Sequence, residues 1–115
     1  MDTFAQGEIY ARKINVAPEC LIEFTEKDEH GAWIISHSES GHHHVIDAPG
    51  VTVMERTRDV PEGMRILIAI VENPTELRQN AGNAHEAHDL SEGVYEFRIS
   101  REFDPFMQQA RRVAD

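Results

Sequence analysis

The chain has a single cysteine, Cys20, in 115 residues. No internal disulfide can form, which removes the disulfide-stapled secreted scaffolds from consideration. The Pro-Glu-Cys-Leu-Ile context of Cys20 reads as a small hydrophobe at the edge of a core, not as a nucleophile. Basic residues are also scarce: 11 Lys and Arg stand against 21 Asp and Glu, for a formal charge of −10. The arginines are scattered without forming a stripe, so a phosphate backbone is repelled and nucleic acid is not an expected partner. Long hydrophobic runs are absent. The longest, Ile66 to Val71, falls far short of the roughly 20 residues that a membrane-spanning helix needs, and no membrane partner is expected. Met1 to Gln6 offer neither a basic segment nor an apolar one, so a signal peptide is not expected and a cytoplasmic location is. Neither G-x-x-x-x-G-K nor G-x-G-x-x-G occurs, which excludes the commonest phosphate-cradling loops. Ser36, Ser38 and Ser40 flank histidines, but nothing marks a nucleophile elbow.

With 40% hydrophobic and 28% charged residues, the composition is that of a folded globular chain, and the length is that of one domain, 1–115. The readable segments are short, rich in β-branched and aromatic residues, and separated by turn residues. Strands are predicted near 7–14, 21–25, 32–37, 42–47, 51–56, 64–71 and 93–100. The 64–71 segment is almost wholly apolar and reads as a central strand. In 93–100, Tyr95, Phe97 and Ile99 alternate with Glu96, Arg98 and Ser100, so one face is buried and the other solvated. The segment 72–77 reads as a turn followed by one helical turn, and 79–89 as a long polar loop. Asp104-Pro105 has the pattern of an N-cap followed by proline at the first helical position, which predicts a short helix over 106–113. The fold class expected is mainly β: a small antiparallel barrel or sandwich of six or seven short strands with a short C-terminal helix.

Against this background the histidines stand out. There are seven; His42, His43 and His44 are adjacent, and His37 lies just upstream. A four-residue turn at 38–41 would pair His37 with His42, Ile35 with His44, and Trp33 with Ile46. These six side chains would then share a face, with directly opposed Cβ atoms about 4.5–5.5 Å apart. His37, His42 and His44 would form a three-imidazole patch over an apolar floor of Trp33, Ile35 and Ile46, while His43 and Val45 point away. Three converging imidazoles match the ligand set of open zinc and non-haem iron sites. A fourth ligand could come from His85, Glu86 or His88, or a carboxylate from Glu39 or Glu55. A divalent metal (zinc, iron or nickel) is the cofactor such a patch would take, with no cofactor as the alternative, and a metal-activated water or an oxygen-binding iron is the chemistry it would support. A one-residue slip in register would separate His37 from His42 and dissolve the patch. His85-Glu86-Ala87-His88 is not the zinc-protease motif, because its second histidine comes one residue early. His42 and His44 resemble the paired histidines of cupin-like barrels, but Glu55 comes too late to complete that motif.

Several boxes together are similar to those of a set of small uncharacterised bacterial and prophage-associated proteins. They are Gln6-Gly7-Glu8-Ile9, the Gly41-His42-His43-His44 box, His85-Glu86, and Gly93-Val94-Tyr95-Glu96-Phe97-Arg98 followed by Arg101-Glu102-Phe103. The resemblance implies a common fold and places His42, His43, His44 and His85 on shared positions, but brings no established activity. Two functions are therefore carried forward. One is a metal-binding β domain with His37, His42, His44 and His85 as ligands and a small molecule as partner. The other is a non-enzymatic accessory or assembly protein of phage type, working through its surface on a protein partner or as a homo-oligomer. In the latter the histidines are structural or form a pH-sensitive contact. No complete catalytic constellation is legible, which favours binding over catalysis.

Overall fold

A computed structural model describes residues 3–15, 17–37, 42–79 and 87–100. The described chain forms ten strands: β1 (Thr3–Gln6), β2 (Ile9–Ile14), β3 (Leu21–Glu23), β4 (Trp33–Ser36), β5 (His44–Ile46), β6 (Val51–Arg56), β7 (Met64–Val71), β8 (Thr75–Gln79), β9 (His88–Leu90) and β10 (Gly93–Ser100). They build two antiparallel sheets. The larger runs β1-β2-β10-β7-β6-β3 and the smaller β4-β5-β8-β9.

Neither sheet closes on itself, so of the two architectures expected from sequence the sandwich holds and the barrel does not. The strand count exceeds the six or seven expected for three reasons. The first predicted strand, 7–14, holds β2, and β1 is an additional strand ahead of it, joined through a turn at Gly7 and Glu8. The segment read as a turn and a helical turn contains a strand, β8, because Leu77 is needed in the core, where it is wholly buried. The end of the polar loop adds β9. No helix occurs among the described residues, and the helix predicted over 106–113 lies outside them. Among the described residues no helix is long and apolar enough to cross a membrane.

The core lies between the sheets. Ile9, Ala11, Val53, Leu67, Ala69, Tyr95, Phe97 and Ile99 come from the larger sheet, and Ile35, Ile46, Leu77 and Leu90 from the smaller. Of the alternation read in 93–100 the inward half is observed, Tyr95, Phe97 and Ile99 being buried in the core, but the other face is not the solvated one expected: Glu96 is buried and Arg98 and Ser100 are half-buried. β7 sits inside the larger sheet between β10 and β6. Its Leu67 and Ala69 face the core, while Ile66 and Ile68 are fully buried without belonging to that cluster. That two-faced burial explains why the strand is apolar throughout and shows no alternation. Cys20 departs from its sequence reading. It is exposed, with φ of 62°, and its carbonyl accepts from the Thr57 amide and hydroxyl.

Candidate functional site

The β4–β5 hairpin begins in the expected register and then leaves it. Trp33 pairs with Ile46 and Ile34 with Val45, but Ser36, not Ile35, lies opposite His44. One extra residue on β4 makes a β-bulge, in which two residues oppose one across the ladder. Ile35 still enters the core. Beyond the bulge the side-chain order has changed, and the three-imidazole patch does not form. His44 is buried. His37 instead meets His43, with ring centroids 4.8 Å apart and edge-on, and its Nε2 lies 3.2 Å from Glu26. His42 is exposed, and its carbonyl accepts from the Gln79 side chain at 3.3 Å. His85, Glu86 and Glu39 lie outside the described residues. Glu55 is held by Arg65, and His88 stacks on Phe4 at 4.4 Å. Among the described residues no group of three or more His, Cys, Asp or Glu is arranged to hold a metal ion.

What the bulge builds is a buried polar network at one end of the sandwich. Gln6 Nε2 donates to the Leu77 carbonyl at 3.2 Å, which turns the amide oxygen towards His44. His44 Nδ1 meets that oxygen at 2.6 Å, so Nδ1 is the protonated nitrogen, a tautomer assigned from its partner. The other nitrogen, Nε2, faces Glu8 Oε2 at 3.6 Å, an ion-pair distance once the ring carries a second proton. The Ser36 hydroxyl donates to the other Glu8 oxygen. The β1–β2 turn thus supplies Glu8, β1 supplies Gln6, and the bulged hairpin supplies Ser36 and His44. Burial by itself would raise the Glu8 pKa. The contacts from His44 and Ser36, its own backbone amide and the charge of His44 outweigh burial and lower it to about 2. Ser36 gives its proton to Glu8 and not to His44, so the order of nucleophile, base and orienting acid that activates a serine is absent here.

Gly7 is the keystone of the turn. It occupies the first position of a two-residue hairpin loop with φ of +57°, where glycine is favoured. A Cβ there would stand 3.0 Å from His44 Nε2. Gly7→Ala combines left-handed strain with pressure on a buried ring. It is expected to cost about 1–2 kcal/mol, read as a lowered urea midpoint at unchanged slope.

A second network closes the same end. Arg65 donates twice to Glu55, at 2.9 and 3.0 Å, and meets Glu26 at 2.6 Å while lying over the Phe24 ring. Glu26, also in contact with His37, is pulled below the ordinary carboxylate range: burial opposes ionisation, but Arg65 and then His37 outweigh it. His43 is lowered by burial first and by the charge of His37 next, with Asp28 acting the other way. One carboxylate oxygen of Asp28 accepts from the His30 and Ala32 amides; the other is buried with no hydrogen bond.

Sequence reasoning centred on the histidines and missed Gln6, Glu8 and Ser36. One signal was available. Gln6-Gly7-Glu8 places two polar side chains on either side of a glycine between apolar residues, the mark of a turn whose flanks have work to do.

Two antiparallel sheets packed face to face, with one end closed by buried charged networks, define the class: an open β-sandwich domain with a histidine-bearing rim. The chain belongs to the family described as Domain of unknown function (DUF8820), whose pattern matches residues 5–100, from within β1 to the last residue of β10. No curated protein and no solved structure matches it.

Proposed function

We propose that this domain is a non-enzymatic accessory or assembly module that works through its surface, with the centre of the histidine box serving as framework. One observation carries this reading: His44 is buried with Nδ1 hydrogen-bonded to Gln6 and Nε2 turned to Glu8 at 3.6 Å, so both ring nitrogens face groups inside the protein. A buried imidazole committed in this way orders the turn and the hairpin against each other, and a polar network with its partners in place specifies a unique arrangement. The expected resemblance to prophage-associated proteins and the expected cytoplasmic location would accord with such a role.

The second reading is a divalent metal site, with zinc, iron or nickel bound by His37, His42, His44 and His85. What supports it is the closeness of the His37 and His43 rings and the unsatisfied oxygen of Asp28, which would draw the ligand set towards His43 and away from His44. The two readings separate in one measurement. Protein purified without a tag is expected to carry zinc, iron and nickel far below one per chain by elemental analysis. A one-to-one metal that survives gel filtration and is stripped only by a chelator would overturn the surface-module reading.

A further inference from the structure

The outward face of the larger sheet carries an inversion of charge. Cross-strand partners place Arg12 opposite Glu96, Arg98 opposite Tyr10, and Arg56 opposite Leu21, all on the side away from the core. Glu96 is buried and shared by three guanidinium groups: Arg12 at 2.9 Å, Arg98 at 2.7 Å and Arg56 at 3.9 Å. Burial opposes its ionisation, but Arg12 and Arg98 outweigh that and hold it below the ordinary carboxylate range. Following the ladders, the other acid facing this way among the described residues is Glu23, at the edge strand. Three arginines against two glutamates leave a surplus of one positive charge on this face, in a chain of net −10. Tyr10 stands beside these arginines and is 50% exposed, one of two large hydrophobic side chains exposed among the described residues.

The complementary feature lies on the other sheet. Glu76 on β8 and Asp89 on β9 are direct cross-strand partners. Like charges placed directly opposite destabilise a sheet, and among the described residues no cation is bonded to either. They border an open groove of about 580 Å³, together with Asp47, Pro74 and Leu90. Arg78 answers Asp47 at 3.0 Å, so among the described residues the opposed pair has no counter-charge.

We propose that this domain associates head to tail with a second copy of itself, the Tyr10–Arg12–Arg98 face of one docking on the Glu76–Asp89 groove of the next. This rests on the reading of the chain as a surface-acting assembly module. Tyr10 supplies an amphipathic body for a groove bordered by Pro74, and the flanking guanidinium groups, which Glu96 alone does not neutralise, meet the Glu76 and Asp89 carboxylates. The two patches lie on different sheets, so the contact is heterologous and propagates as a ring or a filament instead of closing as a two-fold dimer. Net repulsion between chains acts at long range and is screened over about 8 Å at physiological salt, whereas contact pairs are screened much less.

The test is sedimentation and light scattering on the full chain at physiological salt, over a wide concentration range. The wild type is expected to form a concentration-dependent series of oligomers. Arg12→Gln/Arg98→Gln, and separately Glu76→Gln/Asp89→Asn, are each expected to weaken association about tenfold or more. The second pair relieves a like-charge contact and so tests the idea even if the arginine variant folds poorly. Mixing the two variants restores one good contact and is expected to give a one-to-one dimer that grows no further. A wild type that stays monomeric throughout, or oligomers that ignore both pairs of substitutions, overturns the inference. Failure of the surface-module reading itself would be seen separately, in the metal content.

Discussion

Changing His44 to alanine is expected to lower the unfolding free energy by about 3 kcal/mol near neutral pH, the range found when a buried hydrogen-bonded partner of a charged group is removed. The imidazole is almost wholly buried, and its loss opens a cavity and takes a donor from Gln6 and a partner from Glu8. The pH dependence separates this cause from simple loss of volume. Glu8 has its pKa lowered in the folded state from 4.5 to about 2. The unfolded chain therefore binds the proton first as pH falls. The stabilisation from Glu8 is complete above about 4.5, and is lost as pH falls through the folded value near 2. His44 is among the causes of that depression, so the variant has less of this stability to lose. The gap between wild type and His44→Ala is expected to narrow as pH is taken from 5 to about 2. Urea titrations at several pH values measure it, and a gap that stays constant would show that the Glu8 contact contributes nothing.

Arg65→Met is expected to cost about 3 kcal/mol, again by urea or thermal unfolding. The guanidinium is largely buried between Glu55 and Glu26 and covers Phe24. Methionine keeps much of the stem but leaves two partly buried carboxylates facing each other without a counter-charge. Breaking such a cluster from one side is far more costly than replacing it entire. The triple variant Arg65→Met/Glu26→Gln/Glu55→Gln is therefore expected to recover most of the loss. If the triple variant were as unstable as the single one, packing of the arginine stem on Phe24, and not charge, would be the cause.

Much of the strand pattern was legible in the residues. Val51–Arg56, Met64–Val71 and Gly93–Ser100 were bounded correctly from composition and turn residues alone, because their burial is set by their own side chains. β8 was not legible. Thr-Glu-Leu-Arg-Gln has one apolar residue, and it is a strand because β5 and β9 flank it and Leu77 fills the core between the sheets. The histidine site was half legible. That His44 shares a face with Ile46 followed from alternation, and its burial agrees with this.

The amino-acid sequence alone settled that this is an acidic, β-rich chain without an internal disulfide, with four of its seven histidines gathered at 37–44. Those properties depend on side-chain chemistry and short-range alternation. Only the tertiary structure decided what the histidines touch. Ile35 seeks the core while Ser36 reaches Glu8 across the sandwich, and both are met by letting two residues of β4 oppose His44. That bulge answers to Gln6 and Glu8, some thirty residues away along the chain. Local pattern holds no record of a demand made from that distance.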